Sequence, residues 1–298
     1  MFGRKNHRTL AKGFSDGYRL NNLLTLKSVK GRIKETTLNL REYIMTYIEE
    51  NRKIWDERSL NNDTWSVPVS SETVNLAREG IWSIVLTPTK TVPMDWFPNK
   101  IEEKKILCLA SGGGQQGPVL SATGADVTVL DNSIEQLEKD KFVAQRDHLK
   151  LKTVQGNMQD LSMFEDEYFD CIVHPWSNGY IDNVRPVWKE CARVLKKKGL
   201  LLAGFGNPLE YIFNAGKLEK GILSVENKIP YADIEHMDDP DTRKAVESGG
   251  YLWSHTLEDQ IQGQIEAGFA IIGFYEDIGG SVLDGFINSS IATKAVKL

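Results

Sequence analysis

Gly112, Gly113, Gly114 and Gly117 fall between an apolar run from Ile106 to Leu109 and a second run, Asp126 to Leu130, that closes on Asp131. Three successive glycines remove every Cβ where backbone must approach a ligand. A helix starting near Gln116 aims its free N–H groups at the same place. An acid at the end of the second run is placed to accept hydrogen bonds from ribose hydroxyls. The chemistry these residues suit is the binding of a nucleoside-bearing cofactor. Gly112, Gly114 and Gly117 also spell G-x-G-x-x-G, so the turn alone admits more than one such cofactor.

A second candidate group follows the apolar run Phe169 to Val173, which delivers His174-Pro175-Trp176-Ser177-Asn178 to a strand's carboxyl end. Open α/β sheets place their ligands there. A histidine in that position can orient or deprotonate a substrate, and it can equally cap the sheet. Trp55, Trp176, Asn178, Tyr180 and Tyr211 are candidates for a substrate pocket. His7, His148, His174, His236 and His255 are scattered without ligand spacing, so no metal is expected.

The elements that must position these residues read as a doubly wound α/β unit. Strands are expected at Ile106 to Leu109, Asp126 to Leu130, Leu151 to Gln155, Phe169 to Val173 and Leu200 to Phe205. Two β-rich runs, Phe269 to Tyr275 and Ile287 to Val296, end the chain. Ser133 and Gln136 make a capping box for a helix with Ile134, Leu137, Val143 and Ala144 on its apolar face. A further helix is read from Asn183 to Lys197, with Lys196, Lys197 and Lys198 complementing its dipole and Gly199 as a left-handed stop. Thr256 with Asp259 caps the final helix, which Gly268 ends. Ahead of the core, Leu40, Tyr43, Ile44, Tyr47, Ile48, Ile54 and Trp55 recur at helical spacing. Trp96 and Phe97, just before the core, read as packing or as part of a lid. Residues 1–100 thus form an extension with a helical lid, residues 101–298 the core, and about 207–255 an inserted cap.

The chain has 298 residues, 41% of them hydrophobic, and a net charge of −5. That balance disfavours nucleic acid or an anionic membrane as the main partner. Locally, Arg4, Lys5, Arg8, Lys12, Arg19, Lys27, Lys30, Arg32 and Lys34 face a single acid, Asp16. Cys108, Cys171 and Cys191 have neither metal spacing nor the even number of a disulfide framework, which suits a reducing cytoplasm. No apolar run approaches the roughly 20 residues that span a bilayer, and no signal core begins the chain, so a cytoplasmic protein is expected. Oligomeric state cannot be read from these patterns.

With the strand, glycine turn, Asp131, Gly156-Asn157-Met158 turn and F-E-D-E-Y-F-D-C-I-V in this order, the sequence resembles class I S-adenosylmethionine-dependent methyltransferases. The strings L-A-S-G-G-G-Q-Q-G-P-V-L, H-P-W-S-N and G-F-G-N-P-L-E-Y-I-F are similar to a bacterial subgroup without a defined substrate. The resemblance implies a seven-stranded, mostly parallel sheet with an antiparallel last strand. It places Ala110, Ser111, Gly112, Gly113 and Gly114 around the methionine part of the cofactor, Gln116 among the cofactor-binding residues, and Asp131 on the ribose. Asn132 and Ser133 would lie beside the adenine, Asn157 and Met158 at its amino group, and His174 facing the sulfonium. Three positions depart from the family pattern: Cys108 replaces an acid, Ala110 the first glycine and Asn157 an Asp.

The expected reaction is in-line methyl transfer to a small molecule, with S-adenosylhomocysteine as product. The alternatives are an RNA or protein methyltransferase using the basic N-terminus, an NAD-dependent oxidoreductase, and a non-catalytic cofactor-binding protein.

Overall fold

A computed structural model describes residues 46–298 of the chain. The basic stretch from Met1 to Lys34 and the first part of the helix read from Leu40 lie outside the described residues. Residues 46–60 are helical and are called α1 here; α2 spans Ser71–Arg78.

Seven strands form one sheet in the order β3-β2-β1-β4-β5-β7-β6. They are β1 (Lys105–Leu109), β2 (Asp126–Asp131), β3 (Leu151–Gln155), β4 (Phe169–His174), β5 (Leu195–Gly206), β6 (Phe269–Asp277) and β7 (Ser290–Lys297). β1 pairs in parallel with both β2 and β4, while β7 runs antiparallel between β5 and β6. The chain moves outward from β1 through β2 to β3, then returns to the other side of β1 with β4. This reversal opens a crevice at the carboxyl ends of β1 and β4.

The central strands are apolar throughout because both faces are covered. Ile106 and Cys108 pack into one layer with Val119, Val127 and Val143, and Leu107 and Leu109 into the other with Phe169, Trp188 and Cys191. Helices α3 (Gln116–Ala122) and α4 (Ile134–Arg146) cover the first face. On the second lie α5 (Arg185–Val194) and α8 (Gly263–Glu266), the latter entered through a wide turn at Glu258–Gln262. Thr256 Oγ1 accepts the Asp259 N–H at 3.0 Å and donates to its carboxylate at 2.7 Å, the reciprocal cap expected there. Between β5 and that turn lie α6 (Ala215–Glu219) and α7 (Pro240–Gly249).

Three local expectations need correction. α5 stops at Val194, and Lys196 to Gly199 form an irregularity in β5: Phe169 pairs with Leu195, but Cys171 pairs with Leu200. The left-handed residue is Lys198, with φ of 63°, not Gly199. Gly199 is required for a different reason, since a Cβ there would stand 2.8 Å from the Lys196 carbonyl. In α4 the packed face is Gln136, Leu137, Asp140 and Val143, whereas Ile134 is exposed. Trp96 and Phe97 are buried, against Tyr275 and Trp82 respectively; they are packing residues. Among the described residues no helix is long and apolar enough to cross a membrane.

Candidate functional site

The crevice holds a cavity of about 430 Å³, within the range of small-molecule and cofactor sites. Its floor is the end of β1, with Ala110, Ser111 and Gly112, and one wall is Asp131, Asn132 and Ser133 after β2. Asn157 and Met158, from the turn after β3, and Gln116, at the start of α3, also line it. Trp55 on α1, with Trp176 and Tyr180 after β4, supplies an aromatic wall.

Asp131 is the acid of the site. Its Oδ2 accepts the Gly112 N–H at 2.8 Å and its Oδ1 the Ser133 N–H at 2.9 Å. Burial pushes its carboxyl up to about 6; backbone N–H bonds oppose that rise, and the nearby Asp56 adds to it. Gly112 is tight against this acid: a Cβ there would lie 2.7 Å from Gln136 Cβ and 3.1 Å from Asp131 Oδ2. Ala110 adopts a left-handed backbone, with φ of 48°, at a cost of roughly 1–2 kcal/mol that a glycine would avoid. Asn157 Oδ1 accepts the Gln159 N–H at 3.0 Å, which shapes the turn after β3.

Other expected site residues lie elsewhere. Gly113 and Gly114 do not line the cavity; both N–H groups point into α4, where they donate to Asp140. His174 has no exposed surface and is not part of the cavity wall. Its Nδ1 lies 2.9 Å from the Leu109 carbonyl and its Nε2 2.6 Å from Asn178 Oδ1. Burial pulls its pKa below the usual histidine value, although both hydrogen bonds favour the charged ring. Asn178 is buried with it and donates to Gln260 Oε1 at 2.9 Å. These side chains tie β1 and β4 to the turn before α8, and neither lines the cavity. Tyr211 also lies off the cavity, 5.9 Å from the Tyr231 ring.

Several wall residues were not singled out in the sequence. Asn51 on α1 donates to the Tyr180 and Tyr251 carbonyls at 3.1 Å and accepts the Tyr251 N–H at 2.7 Å. Arg58 stacks on the Trp55 ring at 4.3 Å, and Trp55 meets Tyr180 edge-on at 5.4 Å. Leu86, Thr87 and Pro88 close the side beneath Trp176. That segment is held by Asp277, which accepts from Thr87 Oγ1, Thr89 N and Lys90 N, each at 2.8 Å. Asn51 and Asp277 bond to partners 129 to 200 residues away, a relation no local spacing signals. Asp140 did leave a local sign: it falls three residues after Leu137 and three before Val143, on an apolar helix face.

An open α/β sheet with a glycine turn and a ribose-suited acid at its switch point defines a nucleoside-cofactor-binding enzyme fold. A methyltransferase domain family matches residues 107–203. The uncharacterised methyltransferase YbaJ of Bacillus subtilis is 51% identical over 252 residues, covering 84% of this chain and 98% of that protein. The fold is shared with an S-adenosylmethionine-dependent methyltransferase of Mesorhizobium loti, at TM-score 0.52 and 14% identity over 68% of this chain and 94% of that one. It is shared also with a putative enzyme of the same kind from Listeria monocytogenes, at TM-score 0.51 and 18% identity over the same shares. The chain belongs to the class I S-adenosylmethionine-dependent methyltransferases. That membership removes the oxidoreductase alternative.

Proposed function

We propose that this methyltransferase acts on a small-molecule acceptor bound against Trp55, Trp176 and Tyr180, in the same cavity that takes the cofactor. The observation that carries the reading is the shared cavity itself. One side is the Ala110–Gly112 backbone with Asp131, and the other is an aromatic wall assembled from α1 and the segment after β4.

The residues present fit the cofactor. Gly112 lets the backbone close against Gln136 and Asp131, where a Cβ would not fit, Asp131 accepts ribose hydroxyls, and Met158, Asn157, Asn132 and Ser133 lie around the adenine. Ala110 and Ser111 lie along the methionine part, and Gln116 also lines the cavity. When bound, the sulfonium cofactor supplies an already activated methyl group. The chain's task is then to hold the acceptor in line and exclude water. In this reading the segment ahead of residue 100 acts as a lid and residues 207–255 as a cap. His174 positions the sheet ends and does not take the acceptor's proton.

The test is incubation of the protein with methyl-labelled S-adenosylmethionine and a cell extract, followed by separation of the products. Label in the small-molecule fraction is the expected result. Label confined to nucleic acid or protein would replace this reading with a macromolecular acceptor.

A further inference from the structure

Three consecutive amides at the end of β1 are all engaged by carboxylates of the chain itself. Gly112 N–H donates to Asp131 Oδ2, Gly114 N–H donates to Asp140 Oδ2 at 3.1 Å, and Gly113 N–H is shared between Asp140 Oδ2 and the Gln136 carbonyl, each at 3.0 Å. Gly113, with φ of 115°, and Gly114, with φ of 73°, adopt backbone conformations that favour glycine. Their amides therefore point into α4 and not into the cavity.

Asp140 has no exposed surface, and its Oδ1 has no hydrogen-bond partner. A buried carboxyl with an unpaired oxygen is costly. The surroundings are nonetheless shaped for it: a Cβ at Gly117 would lie 3.0 Å from that oxygen and 2.5 Å from Val129 Cγ2. Gly117, the third glycine of the G-x-G-x-x-G spelling, thus makes room for Asp140 and Val129. In a dinucleotide-binding turn of the same spelling the pyrophosphate approaches the glycine backbone and the helix N-terminus. Here a phosphate would meet occupied donors and the Asp131 carboxyl.

The geometry points to Asp140 as the residue that commits this glycine turn to a cofactor without phosphate, because it occupies from behind the amides a nucleotide phosphate would need. It is a positioning residue and touches no ligand. The inference rests on the assignment of this cavity to the methyl donor.

The experiment titrates the folded full chain with S-adenosylhomocysteine and, separately, with inorganic pyrophosphate. The wild type is expected to bind the first and to show no binding of the second at millimolar concentration. Asp140→Ala weakens S-adenosylhomocysteine about tenfold or more, while Asp140→Asn, which keeps an oxygen able to accept both amides, stays within about threefold of wild type. Amide hydrogen exchange adds a readout that packing alone does not move. Gly114, whose amide bonds to Asp140 at 3.1 Å, is slow in the cofactor-free wild type and in Asp140→Asn, and fast in a folded Asp140→Ala, while Gly113 keeps the Gln136 carbonyl as an acceptor in all three. Pyrophosphate binding that competes with S-adenosylhomocysteine in the wild type overturns the inference. So does a folded Asp140→Ala with wild-type affinity, or an Asp140→Asn no better than Ala. Should the Ala variant not fold, fast exchange at Gly114 in the wild type overturns it still. A folded wild type that binds NADH in place of S-adenosylhomocysteine would overturn the cofactor assignment and this inference together, whereas the pyrophosphate result overturns this inference alone.

Discussion

The Ser133 hydroxyl donates to Asp56 Oδ1 at 2.6 Å while its oxygen accepts the Gln136 N–H at 3.1 Å. One N-cap hydroxyl therefore starts α4 and ties α1 to the end of β2, beside Asp131. Asp56 also accepts the Glu135 N–H at 3.3 Å and pairs with Arg52 at 2.7 Å. Its charge is one cause of the raised Asp131 pKa, after burial. Because the folded value, about 6, exceeds the ordinary 3.8, the stability Asp131 contributes is fully present below 3.8 and is lost as pH rises through about 6. Ribose hydroxyls favour the ionised form, so affinity for S-adenosylhomocysteine should rise with pH through about 6 and then level off. Calorimetric titration between about pH 5 and pH 8 checks this. Asp131→Asn should bind at least about tenfold more weakly, without that rise. Asp56→Asn should move the midpoint down by less than about one pH unit; an upward shift would refute the coupling.

Asp277 holds the loop under Trp176, and its pKa is lowered. Burial acts to raise it, but bonds from Thr89, Thr87 and Lys90 together prevail and hold the carboxyl at about 2. A depressed acid stabilises the fold above its ordinary 3.8, and that contribution is lost as pH falls through about 2. Replacing it with Ala should remove roughly 2 kcal/mol at neutral pH, measured by urea denaturation. The stability difference from wild type should shrink as the pH falls through this window. A difference constant down to about pH 2 would mean that packing, not ionisation, carries the effect.

The legible part of this molecule is the part built from local patterns. Ile106–Leu109 and Cys171–Val173 are apolar at every position, as strands covered on both faces must be, and Asp131 closes its strand as the spacing implied. Distant pairings were not legible. Asn51 serves Tyr180 and Tyr251, Asp277 serves Thr87 to Lys90, His174 bonds to the Leu109 carbonyl, and Asn178 beside it bonds to Gln260. Lys196 misled for a related reason. A basic run after a helix suits its dipole, but Lys196 instead reaches back to Asp170 at 2.9 Å and lies in β5.

The His174 network yields a separation between stability and binding. His174→Gln shortens the reach to the Leu109 carbonyl and Asn178, and should cost about 1–3 kcal/mol of unfolding free energy. Affinity for S-adenosylhomocysteine should stay within about threefold of wild type, since the ring lies outside the cavity wall. Unchanged stability with a large loss of transfer activity would return His174 to the reacting centre.

Trp55 tests the acceptor side. Its ring carries the Arg58 guanidinium on one face and meets Tyr180 edge-on, so it shapes the aromatic part of the cavity wall. Truncation to Ala removes aromatic surface that an acceptor would press against. The expected result is a fall in kcat/KM of about 10- to 100-fold toward the labelled small-molecule fraction. Affinity for S-adenosylhomocysteine, measured by calorimetry, should change by less than about threefold. Equal losses in both would place Trp55 against the cofactor instead, and the acceptor would then have to lie toward Trp176 and Pro88.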